Sequence, residues 1–193
     1  MADVRASRIV GGNGAYGRNP SDLYPTPPDV TVALMRFLNL PRRTVIWEPA
    51  AGEGDMAGVL QTFCDTVYAT DVLDGTDFLK SSIEDADWII TNPPFSLAEE
   101  FIRRAAELEK PFAFVLKSQY WHAKTRAGLF SEMPPSYVLP LTWRPNFNFK
   151  TMPGKSPLMD VIWCVWLTPW KNDIQTVYCP LTRPEMGAEN KNG

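Results

Sequence analysis

The 193-residue chain reads as an α/β protein, a mostly parallel sheet with helices on both faces. Two observations predict this class. Short apolar runs alternate along the chain with segments of helical periodicity, the pattern of strands joined by crossover helices. The run Val161-Ile162-Trp163-Cys164-Val165-Trp166-Leu167 is apolar without a break, as expected of a strand buried on both sides. The length fits one domain, and 45% hydrophobic with 21% charged residues is ordinary for a globular protein.

Residues 1–22 are glycine-rich and polar without sustained periodicity, and read as a flexible or loosely docked arm. Gly12, Gly14 and Gly17 spell G-x-G-x-x-G, but only Ile9-Val10 precede them as strand material, and Asn19-Pro20 follow where a helix should open. That context does not suit a dinucleotide fingerprint. The folded domain is expected over residues 23–184, followed by a polar tail over 185–193. It opens with Tyr24-Pro25-Thr26-Pro27-Pro28, a stiff extended segment, and a helix follows from Asp29 to Leu38, its start marked by Thr26 and the prolines.

Thr44 to Trp47 reads as a strand that ends in the turn Glu48-Pro49-Ala50-Ala51-Gly52-Glu53-Gly54-Asp55, and Met56 to Phe63 as the helix after it. Thr66 to Thr70 is a second strand, capped by Asp71. Trp88 to Thr91 is a third, and Leu97 to Leu108 an amphipathic helix with Phe101, Ile102, Ala105 and Ala106 on its apolar side. Phe112 to Leu116, Tyr137 to Leu139 and Val161 to Leu167 complete the strands.

No apolar run approaches the ~20 residues of a membrane span, and the N-terminus lacks a signal-peptide core, so a cytoplasmic protein is expected. Cys64, Cys164 and Cys179 are odd in number and lack C-x-x-C spacing; buried reduced thiols fit better than a zinc site or a disulfide framework. The net charge of −3 argues against nonspecific nucleic-acid binding by the whole molecule. Between Pro111 and Lys171, however, seven basic residues (Lys117, Lys124, Arg126, Arg144, Lys150, Lys155, Lys171) face two acidic ones (Glu132, Asp160), a local charge of +5. This suits either one polyanion-binding surface or an unevenly charged solvated surface.

The chemistry centres on Asn92-Pro93-Pro94-Phe95, where a buried strand stops at a rigid polar corner. Each proline fixes φ and removes a donor, leaving the Asn92 and Pro93 carbonyls as acceptors beside an aromatic ring. Such a corner suits a planar ring with an exocyclic amino group, although an ordinary strand-ending turn uses the same residues. Ligands of open α/β sheets bind outside the carboxyl ends of the strands, which here are Glu48 to Gly54, Asp71, and Asn92 to Phe95. Gly52 and Gly54 permit close approach of a ligand to backbone, and Asp71 is placed to accept bonds from ribose hydroxyls. Glu53 and Asp55 at the helix opening disfavour a pyrophosphate and favour a cofactor bearing cationic groups.

Glu48-Pro49-Ala50-Ala51-Gly52-Glu53-Gly54 resembles the cofactor motif of S-adenosylmethionine-dependent amino-methyltransferases, and Asn92-Pro93-Pro94-Phe95 resembles their catalytic [DNS]-P-P-[FYW] motif. Tyr24-Pro25-Thr26-Pro27-Pro28 is similar to the N-terminal cofactor segment of adenine-N6 DNA methyltransferases, and Trp143-Arg144-Pro145-x-Phe147 to a segment of their compact phage and prophage members. The resemblance covers roughly residues 20 to 167. It implies a Rossmann-like methyltransferase fold with an antiparallel last strand, S-adenosyl-L-methionine as cofactor, and double-stranded DNA as partner. It also implies methylation of adenine N6 after base flipping, with catalysis by Asn92, Pro93, Pro94 and Phe95. Thr26 would hold the cofactor's methionine carboxylate, with Tyr24 in the same segment. Glu48, Ala50, Gly52 and Gly54 would line its methionine side, Asp71 its ribose, and Asp77 and Phe78 its adenine, though Asp74 to Asp77 also reads as a polar turn.

Phe95 would stack on the flipped base, and Phe147 would stack on its other face, fill the vacated space or simply pack. Lys117 would line the pocket or stand as a strand-ending surface lysine. Arg144, Lys150 and Lys155 are candidate phosphate contacts or solvated loop charges. His122, in Tyr120-Trp121-His122, has no acid or nucleophile pattern around it and reads as structural or DNA-proximal. The same motif also serves cytosine N4, RNA adenine and protein glutamine, and a noncatalytic nucleic-acid-binding module of the same fold is the reading from another class. About 26 residues follow the last long strand, too few for a separate target-recognition domain. Sequence reading then falls to Ser118 to Pro135, Thr142 to Pro157, the arm or a second subunit.

Overall fold

A computed structural model describes residues 24–122, 124–150, 159–167 and 175–186. The arm with its glycine pattern, Lys155, Lys171 and residues 187–193 lie outside the described residues. The elements run α1 (Pro28–Leu38), β1 (Val45–Glu48), α2 (Asp55–Phe63), β2 (Thr66–Ala69), β3 (Trp88–Thr91), α3 (Ala98–Glu107), β4 (Phe112–Lys117), α4 (Ala127–Glu132), β5 (Tyr137–Pro140), β6 (Val161–Trp166) and β7 (Val177–Tyr178). No helix among them is long and apolar enough to cross a membrane.

The strands form one sheet in the order β2-β1-β3-β4-β6-β5-β7. β2, β1, β3 and β4 are parallel, while β6 runs antiparallel to both β4 and β5. The expected antiparallel last strand is therefore β6, the last long one. The two-residue β7 that follows is parallel to β5, a correction that periodicity cannot supply over so short a segment.

Pleating sorts the sheet's side chains into two cores. Ile46, Ile90, Ala113, Val115, Val161, Trp163 and Val165 face α1 and α2. Trp47, Ile89, Phe112, Phe114, Leu116, Ile162, Cys164 and Trp166 face α3 and Leu129 of α4. Both faces are covered, which explains why β6 is apolar and buried at every position. Phe112 and Trp166, paired across β4 and β6, stack at 4.7 Å. The indole N–H groups are bonded: Trp163 donates to the Val30 carbonyl of α1 and Trp166 to the Met133 carbonyl, each at 3.0 Å. Cys64 and Cys164 are buried and Cys179 is half-buried, all three as free thiols; burial pushes the Cys64 and Cys164 thiols up.

The helix α1 starts on prolines, as their fixed φ dictates, with Pro27 at the N-cap and Pro28 inside it. Thr26 is not its cap; its hydroxyl points elsewhere, as described below. In the first turn, the buried Asp29 accepts from Trp143 Nε1 at 3.0 Å and from Arg183 Nε at 2.9 Å. One carboxylate thus ties α1 to the segment after β5 and to the stretch after β7. Asp29→Ala would leave the Trp143 N–H without its partner, with an expected loss of about 2–3 kcal/mol of stability, measurable as a lowered midpoint in urea at unchanged slope.

Candidate active site

The strand order reverses between β1 and β3, so the crevice of this sheet opens at their carboxyl ends. The register that sets Trp47 beside Ile89 brings those two ends together. β1 delivers Glu48 and the turn to α2; β2 ends in Asp71; β3 ends at Thr91, and Asn92-Pro93-Pro94 carry the chain off the sheet.

At β1 the turn is held by backbone geometry. Gly52 (φ 52°) and Gly54 (φ 82°) are left-handed, which favours glycine at both. A Cβ built on Gly54 meets nothing within 4 Å, so this turn faces open space. The Asp71 carboxylate accepts from Gly52 N–H and from Leu73 N–H, each at 2.9 Å, and fastens the end of β2 to the β1 turn. Glu48 is buried, takes a bond from the Ala57 N–H in the first turn of α2, and has no partner for Oε2 among the described residues. Burial, with Asp55 and Asp71 nearby, pushes its carboxyl up to about 8. At the rim, Lys150 Nζ bridges Glu53 and Asp55 at 2.7 Å each. Val72 and Leu73, 66% and 81% exposed, form an apolar lip beside Asp71.

The β3 corner is held from a distance in sequence. Asn92 Nδ2 donates to the Tyr24 carbonyl and to Thr26 Oγ1, each at 3.1 Å. The Tyr24 carbonyl can only accept, so the amide nitrogen must face it. Asn92 Oδ1 is thereby turned the other way, buried and without a partner among the described residues. A buried acceptor left unmade costs about 1–3 kcal/mol, and such costs concentrate at functional sites. Phe95 lies between the Tyr24 ring, 5.9 Å away, and Lys117 Nζ, 4.4 Å from its ring centre.

The structure therefore assembles Tyr24, Thr26, Asn92, Phe95 and Lys117 in one cluster, and joins Gly52 to Asp71. Ala50 is partly buried against the α3-facing core. Asp77 accepts from Leu79 N–H and pairs with Lys80, which holds its carboxyl below the usual carboxylate range. Phe78 is 2% exposed and packs edge-on against Trp47, so its ring belongs to the core and not to the crevice surface. Phe147, 1% exposed, likewise lies in the core on the α1 side. Arg144 is exposed and paired with Asp160, and Lys150 is paired with Glu53 and Asp55 at the β1 turn; these bonds partly neutralise the local basic excess. Two features escaped the sequence reading. The Val72-Leu73 lip had a signal, an apolar pair directly after a strand-ending acid, whereas the reach of Lys150 to Glu53 and Asp55 across 95–97 residues had none.

No family model and no curated protein matches the chain. Solved structures do. A Pyrococcus horikoshii protein provisionally described as an RNA methyltransferase superposes with a TM-score of 0.59 at 16% identity, covering 88% of this chain and 100% of its own. The type I restriction-modification methyltransferase subunit of Streptococcus thermophilus gives 0.53 at 12% identity, covering 79% of this chain and 46% of its own. The M protein of the type I restriction enzyme EcoKI gives 0.52 at 12% identity, covering 83% and 46%. The fold is that of the Rossmann-like methyltransferases. At these identities the likeness is one of fold, and the chain spans about half the length of the two type I subunits.

Within this methyltransferase fold, Glu48 makes stability depend on pH. Its folded carboxyl titrates near 8, above its ordinary value of 4.5, so its contribution is full below about 4.5 and is lost as pH rises through about 8. Glu48→Gln is expected to remove that slope, on the order of a few kcal/mol, in denaturation curves collected between pH 5 and 9.

Proposed function

We propose that the chain is an S-adenosylmethionine-dependent methyltransferase that modifies the exocyclic N6 amino group of adenine in double-stranded DNA. The observation that carries this reading is the orientation of Asn92, whose donors are both used on the Tyr24–Thr26 segment and whose carbonyl oxygen is buried without a donor among the described residues. An amino group attached to a ring is the ligand that completes it.

The crevice suits the cofactor on its own chemistry. The unpartnered Glu48 Oε2 and the acidic Glu53 and Asp55 favour a cationic ligand, and the open side of Gly54 leaves room for it. A neighbouring ammonium would draw Glu48 into its charged form. Asp71 spends one lone pair of each oxygen on backbone, which leaves others for ribose hydroxyls. Bound there, S-adenosylmethionine supplies an electrophilic methyl group on a sulfonium. Ala50, Gly52 and Tyr24 complete the residues of this site.

The adenine amino nitrogen is a poor nucleophile because its lone pair is delocalised into the ring. Hydrogen bonds from that amino group to Asn92 Oδ1 and the Pro93 carbonyl would stabilise the positive charge that develops on nitrogen, and a preformed acceptor does so without reorganisation. The methylated nitrogen is then acidic and releases its proton to solvent, so no strong base is needed. A stacked base cannot reach the corner, and flipping it out costs a few kcal/mol. Phe95 would meet the flipped ring, and Lys117, 4.4 Å from its ring centre, would line the same pocket.

RNA is the second substrate reading, supported by the overlap with the Pyrococcus horikoshii protein described as an RNA methyltransferase, over 88% of this chain and 100% of that one. Plasmid DNA and an RNA transcript, each incubated with labelled cofactor and digested to nucleosides, separate the two: label in N6-methyldeoxyadenosine is the expected result. Asn92→Ala is expected to lower turnover by ~10²-fold or more with cofactor affinity nearly unchanged by calorimetry. Absence of any cofactor binding by the unaltered protein would favour a noncatalytic nucleic-acid-binding module instead.

A further inference from the structure

Thr26, which the sequence resemblance gives to the cofactor, has its hydroxyl oxygen engaged with the side chain of Asn92. We infer that the Tyr24–Thr26 segment is the device that orients the Asn92 amide, with Thr26 as a positioning residue for the target amine. This inference rests on the reading of Asn92 given above.

The argument begins with the donor and acceptor count. An Asn amide has two protons to give and one oxygen to receive with. Tyr24 offers a carbonyl, which has no proton, and Thr26 offers a hydroxyl within 3.1 Å of the same nitrogen. Rotating the amide by half a turn would set Oδ1 against the Tyr24 carbonyl, oxygen against oxygen, and would strip two donors of their partners. The segment is stiff enough to impose this choice. Pro25 and Pro27 fix φ on either side of Thr26, and Pro27 is extended (φ −58°, ψ 140°) where it meets α1. Immediately downstream, Asp29 is tied to Trp143 and Arg183, so the segment is anchored to the rest of the fold. Thr26 is itself 4% exposed. Its position therefore follows from the fold and not from a bound ligand.

The arrangement has a consequence peculiar to this chain. An ionised Asp at position 92 would have no proton to give the Tyr24 carbonyl, so this corner favours Asn over Asp at neutral pH, even though the catalytic motif it resembles accepts either.

Three measurements test the inference. Thr26→Val keeps the shape and removes the hydroxyl; kcat is expected to fall about tenfold, the worth of one net hydrogen bond, with cofactor affinity changed less than threefold, and Thr26→Ser to restore kcat. An unchanged kcat, or a tenfold loss of cofactor affinity at constant kcat, would overturn the positioning role and return Thr26 to the cofactor. In the ligand-free protein, NMR should show Asn92 side-chain amide protons exchanging far more slowly than those of an exposed Asn, and Thr26→Val should speed them; fast exchange in the unaltered protein would equally overturn it. For Asn92→Asp, the carboxyl beside the Tyr24 carbonyl should titrate above its unfolded value, so stability should be highest at low pH and fall as pH rises. A pH-independent difference from the parent counts against it. Full turnover by Asn92→Ala would defeat the reading of Asn92 as the group that holds the target amine, whereas an inactive Asn92→Ala with a fully active Thr26→Val defeats only the positioning role.

Discussion

Val161–Trp166 runs against its neighbours on both sides and is buried at all six positions, and the two halves of the sheet meet only across it. On one side it pairs along the whole of β4, the last of the parallel strands; on the other it holds β5 and, through β5, the edge strand β7. Alternate residues fill alternate cores, so neither helical layer packs without it. Trp163 also reaches out of the sheet to the Val30 carbonyl, which sets α1 against β6. Because α1 begins where the Tyr24–Thr26 segment ends, the packing of a distant strand bears on the placement of the Asn92 corner.

The polar chemistry at the crevice is costly to maintain, and the fold places that cost where the sheet can bear it. Glu48 and Asn92 both carry a buried acceptor without a donor among the described residues, at the carboxyl ends of adjacent strands. The two differ in kind. Glu48 relieves its burial by holding a proton up to about pH 8, whereas the Asn92 amide cannot titrate and is satisfied by a group that donates. One group responds to charge and the other to a hydrogen-bond donor, the two properties that a sulfonium cofactor and an aromatic amine bring separately.

Much of the frame was legible in the sequence because it is local. The parallel strands β1 to β4 and the first three helices follow apolar periodicity, and the turn at Gly52 and Gly54 and the corner at Asn92-Pro93-Pro94 follow residue chemistry. The short α4 and β7 were not legible: six and two residues give too little period to detect, and Gly128 weakens the helical signal further. Side-chain destinations were the other limit. An aromatic ring beside a polar loop looks the same in sequence whether it lines a pocket or fills a core, and Phe78 and Phe147 both proved to be core. Likewise a lysine among basic residues does not announce that its partners are Glu53 and Asp55, far away along the chain.

The bonds from Asn92 to Tyr24 and Thr26 span 68 and 66 residues, which makes the Asn92 corner a bipartite object. Moving the tetrapeptide Asn92 to Phe95 onto another parallel sheet would carry the acceptor without the surface that aims it, and the amide would spin freely. The transplantable unit is the tetrapeptide together with the proline-braced strap that crosses it. Circular permutation is restricted for the same reason: new termini opened between Thr26 and Asp29 would cut the strap from its anchor and leave every motif in the sequence intact.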